Sequence, residues 1–290
     1  MLKREEIRIR DPFIYTDVEN QCYYMYGTTA LKENSIDAGN TFSVYKTTDL
    51  ENFYEPRIIF DGSRHGFWAD KDFWAPEVHL YNGKYYLFGS CKAKGKHRAT
   101  HIFVCDTPDG DFVPLSKEPI TPKDWECLDG TFWVEDGVPY IVFSREWTQV
   151  GDGEIWAMPL TDDLIAAAGD PFLLFHASDT PQVTELNPQS GAYVTDGPFL
   201  YRENEQLRMI WSSFYEGRYL VLLAHTSSLS NVWSHGESVF AFDGGHAMLF
   251  NRLDGGRMIS LHRPNSINCE RACFFDFSEN KMNKGGEHYD

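Results

Sequence analysis

The chain has 290 residues, of which 42% are hydrophobic and 15% aromatic, so it can bury a sizeable core. Its 43 acidic residues against 26 basic ones give a net charge of −17, which argues against a nucleic-acid partner and against an anionic membrane surface, because both bind basic patches. No stretch approaches the roughly 20 apolar residues that a membrane-spanning helix needs.

The N-terminal segment lacks the apolar core of a signal peptide. This predicts a cytoplasmic protein, or a periplasmic or secreted one if a leader has been removed. The six cysteines form no Cys-x-x-Cys pair, so we expect free, buried thiols. Such thiols are typical of a reducing compartment.

One kind of segment returns five times along the chain. Each copy opens at a short turn rich in Asp, Gly, Pro or His, runs through an alternating aromatic strand, crosses a polar turn and continues into a second strand. The copies begin at Asp11, Ala75, Asp129, Asp196 and Gly245, which are 64, 54, 67 and 49 residues apart. A repeat of this period indicates a propeller or a solenoid. Since every unit has strand character, the sequence predicts an all-β fold, a five-bladed β-propeller.

Further strands follow each pair in chain order. Alternating third strands are predicted from residues 42, 101, 154 and 219, and fourth strands at 57–60 and 172–175. Residues 271–277 could form an outer strand of the last unit. We therefore expect residues 1–277 to form one propeller catalytic domain, followed by a polar and flexible C-terminal tail at 278–290.

Three carboxylates open three of the units: Asp11, Asp129 and Asp196. The innermost strands of a propeller line its axis, so these side chains are predicted to meet in one central pocket. Gathering acids there is costly, because burial and like charges both disfavour the ionised forms. Asp is also an ordinary turn residue. Three acids at matching places in the repeat nevertheless favour a functional interpretation.

Glycoside hydrolysis is a reaction that needs several carboxylates between aromatic walls. One acid protonates the leaving oxygen, while a second carboxylate activates water on the opposite face of the sugar. A third carboxylate can raise the pKa of the acid and orient it.

Four short motifs resemble those of glycoside hydrolase family 43, and the resemblance covers essentially the whole propeller. They are Arg10-Asp11-Pro12-Phe13, Trp74-Ala75-Pro76-Glu77-Val78, Asp129-Gly130-Thr131 and the turn Gly197-Pro198. The resemblance implies a five-bladed propeller that cleaves α-L-arabinofuranosides, β-xylosides, arabinans or, in some branches, galactans, with inversion. It also implies that Asp11 is the general base and that Asp129 modulates the pKa of the acid.

The fourth motif departs from the family pattern. Most members have Glu-Gly-Pro, with the Glu as general acid, whereas this chain has Asp196 before Gly197. Asp196 is one methylene shorter, so it would act as the acid in a tighter pocket. Alternatively the proton comes from Glu146, unless that residue only pairs with Arg145 or another arginine. A third possibility is that catalysis is lost.

Other site residues are predicted more loosely. The resemblance implies that His246 lies beside a calcium ion held mainly by water, although calcium prefers oxygen ligands and a buried structural histidine is the alternative. No cofactor is needed for the chemistry itself. Sugar stacking would fall to the aromatic rings, and hydroxyl contacts to two charged residues, unless these side chains serve packing. They are Phe73, Trp74 and Trp147, and Glu77 and Arg263.

The predicted function is an inverting exo-glycosidase. It would remove terminal α-L-arabinofuranosyl units, with β-xylosyl units next, from plant-type polysaccharides or oligosaccharides. The main alternative is a non-catalytic carbohydrate-binding propeller. A retaining propeller family acting on fructosides ranks low, because its Trp-Met-Asn-Asp-Pro-Asn-Gly and Glu-Cys-Pro motifs are missing. A structural or protein-binding propeller is a further alternative. The sequence does not predict an oligomeric state.

Overall fold

The protein is a five-bladed β-propeller, which confirms the predicted all-β fold. The computed structural model describes residues 1–29, 39–64 and 66–277 as five antiparallel sheets around one axis. The predicted tail at 278–290 lies outside the described residues.

The strands of each blade follow chain order from the axis outwards. The first blade contains Arg10–Asp17, Cys22–Thr28, Thr41–Thr47 and Arg57–Asp61, with the short strands Leu2–Lys3 and Asn52–Phe53 at its edge. The second contains Lys71–Tyr81, Lys84–Lys92, Ala99–Cys105 and Val113–Pro114, and the third Cys127–Glu135, Val138–Arg145, Glu154–Pro159 and Phe172–His176. The fourth contains Asp196–Glu203, Gln206–Tyr215, Arg218–Thr226 and Ser234–His235, and the fifth Gly245–Asn251, Arg257–Arg263 and Arg271–Asp276.

All three predicted outer strands are present where they were expected. Arg57–Asp61 and Phe172–His176 pair with the third strands of the first and third blades, and Arg271–Asp276 completes the last blade. The described helical segments are all short: Arg4–Glu6, Gly62–Arg64, Trp147–Val150 and Ala177–Asp179. No helix in the described part of the chain is long and apolar enough to cross a membrane.

The core lies between the faces of neighbouring blades. A cluster of buried aromatic rings, including Phe42, Phe60, Phe73 and Phe103, fills the space between the first two blades. Large alternating side chains on both faces of each sheet explain this packing, because every blade is covered on two sides.

Every inner strand carries a β-bulge at the same end of the axis. The register shifts lie between Arg10 and Phe13, Trp74 and Glu77, Leu128 and Thr131, Asp196 and Phe199, and Gly245 and Met248. In each bulge, the residue that directly follows the first of these paired residues has a positive φ: 55° at Asp11, 43° at Ala75, 55° at Asp129, 50° at Gly197 and 52° at His246. A bulge of this kind re-aims a side chain that regular alternation would direct elsewhere.

The bulges correct one expectation from the sequence. Asp11 and Asp129 do occupy matching places, and His246 shares that place in the fifth blade. Asp196 does not, because it precedes the bulge and is equivalent in register to Arg10. The prediction that all three acids stand at one position of the repeat is therefore wrong.

The N–H group of each bulge ties its blade to a neighbour. Those of Ala75, Asp129 and His246 donate to Thr28 Oγ1 (2.8 Å), Ser90 Oγ (2.9 Å) and Ser212 Oγ (2.8 Å) of the preceding blade. That of Asp11 donates to His262 Nδ1 of the fifth blade at 3.2 Å. In the fourth blade, Gly197 donates instead to Asp129 Oδ2 at 3.0 Å. These bonds satisfy buried backbone donors and fix the pocket end of the propeller.

An ion cluster closes the ring between the first and last blades. Glu270, whose side chain is fully buried, accepts from Arg8 Nε at 3.3 Å and Arg10 Nη1 at 3.1 Å.

We expect Glu270→Ala to lower the free energy of unfolding by roughly 3 kcal/mol, because removal of one partner leaves the buried charge of the other without compensation. Urea unfolding would measure this. The matched control is Glu51→Ala, which removes the exposed partner of Arg4 and should cost less than about 1 kcal/mol. Equal losses in the two variants would contradict a special role for the buried cluster.

Candidate active site

A small cavity opens at the bulged end of the axis. Its volume is about 180 Å³, below the ~300–1,000 Å³ of pockets for drug-sized ligands, so its size suits about one sugar unit. The lining residues come from all five blades and are mostly polar or aromatic. They are Arg10, Asp11, Thr28, Trp74, Leu128, Asp129, Glu146, Trp147, Asp196, Tyr219 and His246.

Asp11 is held as a carboxylate. Its Oδ2 accepts from Thr28 Oγ1 at 2.7 Å, and its Oδ1 lies 3.2 Å from His246 Nδ1. Burial raises its pKa, but the charges of His246 and Arg10 help to outweigh burial and hold the pKa of Asp11 well below its usual range. An ionised carboxylate at neutral pH is the form that a general base requires.

Asp196 and Asp129 have the opposite tendency. Burial raises the pKa of Asp196 to about 6, against the opposing effects of His246 and of the Tyr219 hydroxyl, which donates to Asp196 Oδ2 at 3.0 Å. Burial also raises the pKa of Asp129 to about 7, and the negative charges of Asp196 and Asp11 add to it, while His246 opposes it. The two carboxyl groups thus hold their protons to a higher pH than an ordinary Asp does, while Asp11 is ionised. Environments that separate pKa values in this way assign acid and base roles.

His246 supplies a positive charge to all three acids. Burial lowers its pKa, yet the carboxylates of Asp11, Asp129 and Asp196 outweigh burial and raise it above the usual value. Its Nδ1 lies 3.6 Å from Asp129 Oδ2. Gly197 packs against the imidazole so closely that a Cβ there would lie 2.7 Å from two ring carbons. Only glycine fits this contact and its positive φ, which explains the residue after Asp196.

Glu146 also faces the cavity. It directly precedes the short helix Trp147–Val150, and its Oε2 lies 3.7 Å from Nε of the buried Arg98. Arg98 stacks over Trp74, with 3.6 Å between its Cζ and the ring centroid. The partner of Glu146 is thus Arg98, while Arg145 pairs with Glu154 at 3.5 Å. Glu146 therefore lines the cavity and has an ion-pair partner. Because it lines the same cavity as Asp196, it stays the alternative candidate for the general acid.

The aromatic predictions divide between the cavity and the core. Trp74 and Trp147 both line the cavity, where their rings can flank a sugar. Phe73, next to Trp74, is 1% exposed and packs among Phe42, Phe60 and Phe67. The prediction that Phe73 stacks on a sugar is wrong, because strand alternation turns it into the blade interface.

Two charged residues predicted to bind substrate lie elsewhere. Glu77 is buried, accepts from Thr131 Oγ1 at 2.6 Å and lies 2.9 Å from His79 Nε2, outside the cavity lining. Arg263 donates from Nε to the carbonyl of Phe242 at 2.9 Å and borders a separate surface cavity. The structure thus places neither side chain in the candidate active site.

Three polar residues of the site escaped the sequence analysis as site residues. Arg10 stands within the first motif, so its adjacency to Asp11 was an available signal. Thr28 ends the second strand of the first blade, and Tyr219 is the second residue of the third strand of the fourth. Nothing in their local sequence marks them, because they reach the site through blade packing.

The predicted calcium ion can be tested against the donor set. No group of three or more His, Cys, Asp or Glu residues in the described part of the chain could hold a metal ion. Nδ1 of His246 faces carboxylates as an ion pair. The described side chains therefore do not by themselves form a calcium cage. A calcium ion held mainly by water beside His246 stays a prediction.

Comparison with known proteins agrees with this fold. The sequence profile of glycosyl hydrolases family 43 matches residues 6–281. The chain belongs to this family. The crystal structure of an endo-arabinase from Bacteroides thetaiotaomicron VPI-5482 is 38% identical and superposes with a TM-score of 0.87, covering 96% of this chain and 97% of that one.

Two curated relatives match over shorter lengths. Xylosidase/arabinosidase 43A of Humicola insolens is 35% identical over 38% of this chain and 36% of its own. A probable arabinan endo-1,5-α-L-arabinosidase A of Aspergillus clavatus is 22% identical over 71% of this chain and 58% of its own. The chain thus matches less than two thirds of the length of either relative.

Proposed function

We propose that this chain is an inverting glycosidase that acts on α-L-arabinofuranosyl linkages of arabinan-type polysaccharides or oligosaccharides. The observation that carries the proposal is the ionised Asp11 facing the same small cavity as Asp196, whose pKa is raised to about 6. The names of all three relatives above refer to arabinosidase or arabinase activity.

The mechanism assigns one task to each carboxyl group. Asp11 accepts a proton from water, whose oxygen attacks the anomeric carbon as the glycosidic bond breaks. Asp196 gives its proton to the departing glycosidic oxygen, which leaves as an alcohol. Asp129 tunes the acid as its charged neighbour, since the negative charge of Asp196 raises the pKa of Asp129. One displacement without a covalent intermediate inverts the anomeric centre.

The small cavity supports removal of single terminal units, whereas two of the relatives are named as endo-acting enzymes. Digestion of linear arabinan, followed by chromatography of the early products, separates these modes. Arabinose alone from the start supports exo cleavage. A ladder of oligosaccharides would overturn exo cleavage and leave the chemistry of the proposal intact.

The proposed function itself is tested with a panel of aryl glycosides. We expect release from the α-L-arabinofuranoside, slower release from the β-xyloside, and a first-formed sugar with inverted configuration by proton NMR. Retention of configuration would contradict the roles of Asp11 and Asp196. If no glycoside or arabinan is cleaved but arabinan binds, the non-catalytic carbohydrate-binding alternative replaces the proposal.

The pH profile provides a signed prediction. In the wild type, kcat/KM should fall above about pH 6, because Asp196 loses the proton that it must donate. The Tyr219 hydroxyl stabilises the carboxylate form of Asp196 and so lowers its pKa. Tyr219→Phe should therefore move this alkaline limb to higher pH while retaining the ring. An unchanged limb, or one moved to lower pH, would argue against Asp196 as the acid.

A further inference from the structure

One position in the second strand of each blade pairs with the inner-strand residue that precedes the bulge. The type of side chain at this position differs between the blades. The five residues are Thr28, Ser90, Ser144, Ser212 and His262. Four blades thus place a hydroxyl at this position, and the fifth places an imidazole. The imidazole accepts the N–H of Asp11, which stands at the bulge of the first blade and is the catalytic base of the proposed function.

The surrounding contacts fix the proton on one nitrogen of His262. Arg10 can only donate, so the atom of Asn265 that receives Arg10 Nη2 at 3.0 Å is the amide oxygen. That oxygen lies 3.3 Å from His262 Nε2 and can only accept, so Nε2 carries the proton. The lone pair of Nδ1 is then free to accept the Asp11 N–H at 3.2 Å. Burial lowers the pKa of His262 and favours this neutral form.

The same ring also contacts the residue that orients the acid. Tyr219 stacks on His262 with 5.6 Å between ring centroids and an interplanar angle of 24°. The Tyr219 hydroxyl donates to Asp196. His262 is fully buried and lies outside the cavity lining. Its Nδ1 lies 3.4 Å from Asp11 Oδ1, whereas it reaches Asp196 only through Tyr219.

We propose that His262 is a positioning residue that holds the backbone of Asp11 in its left-handed conformation and supports the ring of Tyr219. A serine at this place would accept one hydrogen bond but would not fill the space under Tyr219 or reach Asn265. The proposal rests on the proposed function for the role of Asp11. Since misplacement of a catalytic group by ~1 Å can cost about 10²-fold in rate, loss of this support should reduce kcat more than it raises KM.

Two substitutions separate positioning from packing. His262→Leu keeps much of the volume but leaves the Asp11 N–H without its acceptor, whereas His262→Asn offers an oxygen near the place of Nδ1. We expect kcat to fall about tenfold or more in the leucine variant, with KM changed by less than about threefold. The asparagine variant should recover part of kcat even if it melts at a lower temperature.

His101→Leu is the matched control. His101 is also fully buried, and its Nδ1 accepts one N–H, that of Trp68 Nε1, at 3.2 Å. It lies outside the cavity lining, so its loss should lower the melting temperature and leave kcat within about twofold. If kcat of His262→Leu equals that of this control, or follows melting temperature across both His262 variants, His262 is merely structural and the proposal fails.

A measurement without substrate keeps the inference apart from the proposed function. Long-range proton–nitrogen correlation NMR of the histidines in the wild type should show His262 neutral, protonated at Nε2 and not titrating between pH 5 and 8. Protonation at Nδ1 would overturn the positioning geometry even in an active enzyme. If the wild type cleaves no glycoside, the proposed function fails, and this spectrum still decides whether His262 holds the Asp11 backbone.

Discussion

Asp11→Asn should lower kcat by roughly 10²–10⁴-fold, the contribution typical of a general base. The substitution keeps the shape of the side chain and removes the negative charge that accepts the proton of water. The substitution should not weaken substrate binding, because KM depends on the walls of the cavity and not on this charge. Steady-state rates on the aryl α-L-arabinofuranoside, with calorimetric binding of arabino-oligosaccharide, measure both quantities.

The surroundings of Asp11 explain why this variant should fold. Thr28 receives the Ala75 N–H and donates its own proton to Asp11, so the amide oxygen of the asparagine can take that place. The amide NH₂ then points to His246, whose pKa falls once the carboxylate is gone. A neutral His246 can accept that NH₂. Wild-type turnover in the variant would disprove the base assignment, while an unfolded variant by circular dichroism would contradict this account of its contacts.

The choice between Asp196 and Glu146 as general acid predicts the second large effect. A glycoside with a good leaving group, such as dinitrophenol, needs no proton, whereas the sugar alcohol released from arabinan does. Asp196→Asn should therefore reduce kcat/KM on arabino-oligosaccharide by roughly 10²–10⁴-fold and on the dinitrophenyl glycoside by much less. Competition of the two substrates in one assay would measure the ratio directly.

Glu146→Gln is the matched variant at the same cavity. Because Glu146 is 3.7 Å from Arg98, its loss should affect the position of Trp74 and hence KM on both substrates alike. Equal losses on both substrates in Asp196→Asn, together with a leaving-group dependence in Glu146→Gln, would transfer the acid role to Glu146. The one-methylene difference between Asp196 and the usual Glu then becomes the reason for the transfer.

Local signals in the sequence were sufficient to predict the blades. The alternation of strand residues and the polar turns depend on neighbours within about ten positions, so the five repeats and the outer strands could be identified without tertiary information. The motifs around Asp11 and Asp129 were informative for the same reason. Each places a carboxylate at the bulge of an inner strand.

The sequence by itself thus determined a five-bladed propeller and a pocket at its axis containing Asp11, Asp129 and Asp196. Only the tertiary structure decided which neighbour faces the cavity, Trp74 rather than Phe73, and that Asp196 stands one residue before its bulge. It also decided that the Asp11 backbone is held by His262, 251 residues away in sequence. Blade packing brings such residues together, and packing depends on the register of whole strands and on contacts across the closed ring, which no local pattern encodes.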